Sequence, residues 1–249
     1  MEEKKTADCM IGRNCVKEAI KSGRTLDRIF VAKGLKGSSL RELVTKAREQ
    51  GAVIKEADIK KLDQIAGGVP HQGIIAFGAV KAYAQLEDVF LAAQKKNEAP
   101  FIIILDEIED PHNLGAIIRT AECAGAHGVI IPKRRSVGLS STVGKASAGA
   151  VEYMPVVRVA NIPSAIDTLK KKGVWVYGAD MAGQTWCQSD LTGGCALVIG
   201  SEGRGLGRLV RESCDGILSL PLCGRITSLN ASVAAGILMY EVARQRKGL

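Results

Sequence analysis

Phe101-Ile-Ile-Ile-Leu105 is apolar at every position, and the residue that ends it is an acid, Asp106. A strand with one wet face alternates polar and apolar residues, whereas one apolar along its whole length is covered on both faces, as in a parallel sheet between two helical layers. The same pattern recurs in Gly128-Val-Ile-Ile131, Pro155-Val-Val157, Val174-Trp-Val-Tyr177, Ala196-Leu-Val-Ile199 and Ile217-Leu-Ser-Leu220, with helical segments between them. The spacing predicts a doubly wound α/β domain, with ligands bound beyond the strand C-termini. Asn113 stands where an N-cap belongs and Gly125 where a C′ residue belongs, bracketing a helix that carries Leu114, Ile117, Ile118 and Ala121.

Upstream of Pro100 the pattern is different. Residues 11–20 and 38–49 have helical spacing, while Arg28 to Ala32, Ala52 to Ile54 and Gly73 to Phe77 read as short strands, giving a compact alternating α/β unit. The stretch from Ala79 to Pro100 holds one amphipathic helix and ends in a polar run. The expected partition is a first domain over 9–80, a linker with a short helix over 81–99 and a second domain over 100–249.

The whole chain has 249 residues, 34 Lys+Arg against 26 Asp+Glu, a net charge of +8, and 46% apolar residues. That is material for a packed core, and the charge favours a polyanionic partner. Residues 1–98 carry 18 basic and 13 acidic side chains, a net +5, leaving +3 for the remainder. Seven cysteines with no CxxC pair fit neither a disulfide framework nor a zinc ribbon. The start, MEEKKTADCM, has no apolar leader segment, and no stretch has the length of a membrane span, so the expectation is a cytoplasmic protein.

Two nucleotide motifs fail on spacing. Gly200-Ser-Glu-Gly-Arg-Gly-Leu-Gly207 follows a strand and precedes a helix, but counting from Gly203 the sixth position is Arg208. Gly138 to Ala146 has five residues where a P-loop has four, and Ala in place of the magnesium-binding hydroxyl. The loop does offer a backbone open to close approach and one carboxylate, Glu202, which reads equally as a solvated turn residue. Asp106-Glu-Ile-Glu-Asp110 reads as a solvated acidic turn rather than a metal cluster, and no metal is expected. Lys133-Arg-Arg135 and the Ser-rich stretch to Lys145 read as a basic loop over an RNA entry or as a solvated charge run. Asn113 with Arg119, Glu202, and Ser228 with Asn230 mark three strand-to-helix passages of one sheet that point to one crevice.

Together, Asp110-Pro-His-Asn-Leu-Gly-Ala-Ile-Ile-Arg-Thr120, Ile199 to Leu206, and Leu220-Pro-Leu222 followed by Ser228-Leu-Asn-Ala-Ser-Val-Ala-Ala235 resemble the motifs of the SpoU family of RNA 2′-O-ribose methyltransferases, within the SPOUT superfamily. The first 80 residues, from Ile11-Gly-Arg-Asn14, resemble the small ribosomal-protein-like RNA-binding domain that many members carry, as in the branch methylating guanosine of 23S ribosomal RNA. The resemblance implies a C-terminal trefoil-knotted parallel-sheet domain, against the usual rule that chains do not knot, and a homodimer. It implies S-adenosylmethionine as methyl donor, held at Gly200, Leu220 and Leu229. The catalytic set carried over is Arg119, Asn113, Glu202, Ser228 and Asn230, with Glu202 orienting Arg119 and Asn113 and Asn230 positioning ribose and cofactor. A guanidinium stays protonated, so Arg119 is read as stabilising negative charge on the target rather than as the base. Two alternatives stay open: a tRNA guanosine 2′-O-methyltransferase, and a non-catalytic knotted RNA-binding protein acting in ribosome assembly.

Overall fold

The computed structural model describes residues 8–34, 38–78 and 81–248. Most of the stretch read for a leader, and the start of the segment from Ala79, lie outside the described residues. The chain divides into two compact units, residues 1–82 with 139–153, and residues 83–138 with 154–249.

In the first unit a four-stranded sheet has the order β1-β4-β2-β3, where β1 is Asp8–Ile11, β2 Leu26–Ala32, β3 Val53–Ala57 and β4 Ile74–Gly78. β4 runs antiparallel to β1 and β2, and β2 parallel to β3. Helices α1 (Arg13–Lys21) and α2 (Ser38–Glu49) cover one face through Val16, Ala19, Ile20, Leu40 and Leu43, packed on Leu26, Ile29 and Ile74. Helix α3 (Ile59–Ala66) lays Leu62 and Ala66 on Phe30, Ala32, Ala57 and Ile75 of the other.

Helix α6 (Ser141–Ala146) and a 3-10 turn over Ala150–Glu152 also belong to this unit. Arg24 donates from Nη1 to Glu152 at 2.5 Å, both side chains nearly buried, and the Tyr153 hydroxyl donates to Glu18 at 2.6 Å. Lys145 Nζ donates to the Pro70 carbonyl at 2.8 Å. The backbone turns sharply at Gly149, φ +89°, where a Cβ would run into the Glu18 side chain. The unit partition thus departs from the linear one in two ways. Residues 139–153 leave the span 100–249, and the helix assigned to a linker, α4 (Leu86–Lys96), packs as part of the second unit through Val89. The stretch read as one basic loop is split: Ser140 caps α6 at the Val143 N–H, and Arg135 pairs with Glu107 at 3.0 Å.

The second unit is built on six parallel strands in the order β10-β8-β9-β5-β6-β7. They are β5 (Phe101–Leu105), β6 (Gly128–Pro132), β7 (Val156–Val159), β8 (Trp175–Thr185), β9 (Cys195–Ile199) and β10 (Gly216–Ser219). β5 and β9 are buried at every position, as their uninterrupted apolar runs require. One face takes α4, α7 (Ile162–Lys171) and α8 (Arg208–Ser213), through Val89, Ile162, Ile166, Leu169 and Val210. Helices α5 (Pro111–Cys123) and α9 (Ala231–Lys247) pack against each other and on β6 and β9. The fold is the α/β class with a parallel sheet expected from the runs. No described helix is long and apolar enough to cross a membrane.

Two local readings are corrected. The N-cap of α5 is Asp110, whose carboxylate accepts the His112 N–H at 2.9 Å, with Pro111 at the first helical position where its missing N–H costs nothing. Asn113 therefore falls inside the first turn, buried, with its amide available for other partners. Strand β8 runs far beyond the predicted Tyr177. β10 pairs Ile217 with Gly178 but Leu218 with Gln184, so residues 179–183 swing out of the ladder as a wide bulge.

Candidate active site

Strand order reverses between β5 and β9, and in parallel sheets that switch point opens a crevice at the carboxyl ends. Leaving β5, Asp106 turns inward and its Oδ2 accepts the Gly207 N–H at 2.8 Å. Burial raises its pKa above the usual carboxylate value and neighbouring Glu107 adds to this, while the Gly207 bond works the other way. Leaving β9, residues 201–205 form a tight hairpin closed by Ser201 N–H to Gly205 carbonyl at 3.1 Å and the reciprocal bond at 2.9 Å. Gly203 at φ +84° makes that turn, and a Cβ on Gly200 would overlap the Gly205 carbonyl. The glycines that failed as a dinucleotide fingerprint are thus required by backbone packed on backbone.

The hairpin presents Glu202. Its Oε1 accepts from Asn113 Nδ2 at 2.9 Å and from Asn230 Nδ2 at 2.5 Å, with the Ala231 N–H at 3.4 Å. Asn230 Nδ2 also reaches Asn113 Oδ1 at 3.0 Å. Its Oδ1 caps α9, accepting from the Ser232 N–H at 2.9 Å and the Val233 N–H at 3.3 Å. One asparagine thereby ties the start of α9 to the hairpin after β9 and to the helix after β5.

Beside this cluster lies a cavity of about 360 Å³. Its walls are the hairpin, the β8 bulge at Ala179, Asp180 and Met181, the segment from Leu218 to Leu229, and Ala231, Ala234 and Leu238 of α9. Of the residues chosen from sequence, Gly200, Glu202, Leu220, Ser228 and Leu229 line it, and Asn113 and Asn230 bond to Glu202. Arg119 is not brought to the cluster. Six residues beyond Asn113, it lies about 240° around the helix, exposed, with no hydrogen bond or ion pair among the described residues. Among the described residues the expected Glu202–Arg119 pair is not formed, and Glu202 instead takes the two asparagines on its Oε1. The sequence reading missed Ala179, Asp180 and Met181; only the position of Asp180 just after an apolar strand run pointed to them. Among the described residues no cluster of His, Cys, Asp and Glu is placed to hold a metal.

Residues 100–240 match the model of the SpoU rRNA Methylase family, and residues 9–84 that of RNA 2′-O ribose methyltransferase substrate binding. The chain is 50% identical over 240 residues, 96% of each chain, to the putative TrmH family tRNA/rRNA methyltransferase YacO of Bacillus subtilis. It is similar to the crystal structure of the AdoMet-bound rRNA methyltransferase from Sinorhizobium meliloti, at 26% identity and a TM-score of 0.80 over 96% of this chain and 87% of that one. The fold is shared with the SpoU methyltransferase AviRb from Streptomyces viridochromogenes in complex with AdoMet, at 24% identity and a TM-score of 0.83, over 97% of this chain and 91% of that one.

Proposed function

This chain is a member of the SpoU rRNA methylase family, and from that membership we propose that it is an S-adenosylmethionine-dependent RNA methyltransferase acting on the 2′-hydroxyl of a guanosine in 23S ribosomal RNA. The observation that carries the reading is the Asn113–Glu202–Asn230 cluster at the rim of the cavity. The ribosomal substrate is supported by the substrate-binding match over residues 9–84 and by the S. meliloti relative named as an rRNA enzyme. The name of the B. subtilis relative spans tRNA and rRNA, so tRNA stands as the second reading. A cytoplasmic location accompanies either substrate.

The cavity suits the cofactor in size and in donor set. Its walls combine apolar Leu218, Leu220, Leu229 and Leu238 with the hairpin backbone, the Thr227 and Ser228 hydroxyls and the Asp180 carboxylate, matching a ligand with an aromatic base, hydroxyls and a cationic centre. Gly200, Leu220 and Leu229 would hold it, with Ser228 supporting the loop. When bound, S-adenosylmethionine supplies an electrophilic methyl group. Glu202 holds Asn113 and Asn230 in one geometry, so that polar groups are pre-oriented before the substrate arrives. Arg119, always protonated, would offset the charge of a target phosphate and of the developing 2′-oxyanion.

Since Arg119 lies apart from its own Glu202, a homodimer offers the simplest way to complete the site. Helices α5 and α9, packed on each other, carry Arg119 and an exposed apolar stripe of Val233, Ile237 and Tyr240 at helical spacing. The C-terminal knot is supported by the strand order and by the Asn230 and Ala231 contacts with the hairpin at Glu202.

Tritiated methyl transfer to purified 23S fragments and to tRNA, mapped by nucleotide, tests the reading. Arg119→Ala is expected to abolish transfer while leaving folding and calorimetric cofactor binding near those of the parent. Turnover close to the parent's in that variant overturns the assignment, and product confined to tRNA selects the second reading.

A further inference from the structure

The four-stranded sheet of the first unit is covered by α1 and α2 on one face but only in part by α3 on the other. Strand register sets out what the uncovered part presents. Cys9, Phe77, Arg28 and Val53 form one row across β1, β4, β2 and β3, and Ile11, Ile75, Phe30 and Lys55 form the next. Phe30, Ile75 and Ile11 of the second row lie against α3 and Cys9 and Phe77 of the first pack at the edge of the same cluster, while the β2–β3 side of both rows stays open, with Arg28 and Lys55 exposed, Val53 54% exposed and Phe77 half-buried.

Two aromatic rings and two cations are organised there. Phe30 and Phe77 meet edge to face, with centroids 5.9 Å apart. The Arg28 guanidinium lies 5.0 Å from the Phe77 centroid, and Lys61 Nζ lies 5.2 Å from that of Phe30. Neither row contains a carboxylate. The nearest acids on α3 and its cap are engaged elsewhere, Asp58 with Lys33 at 3.2 Å and Asp63 with His71 at 3.1 Å.

A planar cation held on a ring leaves its outer face as a stacking platform, and flanking lysines supply the charge that tracks a phosphate chain. A folded protein partner would be met by acids as well as bases. A duplex keeps its bases stacked and offers phosphates and 2′-hydroxyls but no free base face to stack on. We propose that this side of the sheet, formed by Arg28, Lys55 and Phe77 and flanked by Lys61 of α3, is a docking surface for single-stranded RNA, with a base stacked at Arg28 over Phe77. This inference rests on the RNA methyltransferase reading for its substrate class and adds the surface and the strandedness.

The test uses the full chain and a fluorescein-labelled 12-nucleotide oligouridylate, read by anisotropy across a salt series, beside a 12-base-pair RNA duplex. Arg28→Ala is expected to weaken oligouridylate binding about tenfold, as loss of one stacking partner does, with a smaller effect on the duplex. Arg28→Lys keeps the salt slope but loses most of that affinity. The triple change Arg28→Ala, Lys55→Ala, Lys61→Ala lowers the magnitude of the log-log salt slope by about two, at roughly 0.7 per phosphate contact on a single strand. Unchanged affinity and slope in the triple variant overturn the proposal, and so does equal loss on single strand and duplex, which leaves phosphate contacts with no stacking. Calorimetric S-adenosylmethionine binding and methyl transfer by the same preparations report on the enzymatic reading separately. If both are intact while the triple variant binds oligouridylate normally, this surface falls alone. If the parent chain binds oligouridylate through these residues yet binds no cofactor, the enzymatic reading falls alone.

Discussion

Asn230 performs two jobs with its two side-chain atoms, and substitution can separate them. Its Oδ1 caps α9 and its Nδ2 donates to Glu202 and Asn113. Asn230→Ala removes both. Losing a cap costs about 1 kcal/mol. A hydrogen bond to a charged group is worth about 1.5–3 kcal/mol, but Glu202 is exposed and solvent screens it, so roughly 0.5–1 kcal/mol is the discounted figure. The sum, about 1.5–2 kcal/mol, corresponds to a fall in Tm of about 3–8 °C for a protein of this size. Asn230→Ser keeps a good cap but its shorter side chain loses the Nδ2 bond to Glu202, so its Tm is expected about 1–4 °C below the parent's. Asn230→Asp also caps α9 but sets a second carboxylate against Glu202, a repulsion of about 1 kcal/mol at water-like screening. Thermal unfolding by circular dichroism should rank the melting points Ser above Ala. Initial rates at saturating RNA should show all three variants equally impaired, because each has lost the donor that fixes Glu202. Parent-like turnover in Asn230→Ser would refute the claim that the three-residue cluster is part of the catalytic arrangement.

Other perturbations test the supports of the site. Gly200→Ala pushes a Cβ into the Gly205 carbonyl; the hairpin must move, and calorimetry should show cofactor affinity reduced more than tenfold. Buried His127 accepts the Phe101 N–H on Nδ1 at 3.0 Å and meets Glu98 through Nε2 at 3.0 Å. Burial lowers its pKa, against the opposing pull of Glu98. Its unfolded value is about 6.5, so the stability it contributes is complete above that pH and is lost as pH falls below it toward the folded pKa. His127→Asn retains an acceptor without titrating, so a Tm-versus-pH series should lose part of its slope below about pH 6.5. Arg246 donates to the Ala99, Pro100 and Gly193 carbonyls at 2.8, 3.0 and 2.6 Å and stacks 5.3 Å from Phe101. Arg246→Ala is expected to cost about 2–3 kcal/mol in urea unfolding, and Lys should rescue little because it lacks the planar fork.

What the sequence made legible follows from how local each signal is. Continuous apolar runs identified β5, β6 and β9, because burial on both faces writes itself into every residue. β1 is only four residues long, and the exposed far half of β8 follows no apolar pattern, so neither carried a readable period. The cap of α5 was displaced to Asn113 because Asn is a good cap wherever it occurs, whereas the structure uses the Asp110-Pro111 pair that precedes it. The convergence of Asn113, Glu202 and Asn230 could be proposed from three strand-to-helix passages, but their partners could not. Choosing between Arg119 and the two asparagines as the partner of Glu202 depends on helical rotation and on contacts spanning 89 and 28 residues of sequence. The docking of residues 139–153 on the first sheet is likewise non-local, held by Arg24–Glu152 and Tyr153–Glu18.

Both strand ends at the switch point solve one problem, that of leaving backbone polar groups near a cavity without leaving them unpaired. After β9 the hairpin satisfies its own amides at Ser201 and Gly205, and Gly207 passes its N–H to buried Asp106. After β5 the Asp110 cap satisfies the first turn of α5, which leaves the Asn113 amide for Glu202. The β8 bulge is the third element: by skipping residues 179–183 in its pairing with β10, it turns Ala179, Asp180 and Met181 to the cavity wall. A Cβ at Gly183 would meet the Ile217 backbone carbonyl, so the bulge needs glycine as the hairpin does. Backbone geometry at Gly200, Gly203 and Gly183 therefore shapes the cavity, and its chemistry falls to the few polar side chains on its walls. That division explains why loops rich in glycine surround a site whose polar groups number only a few.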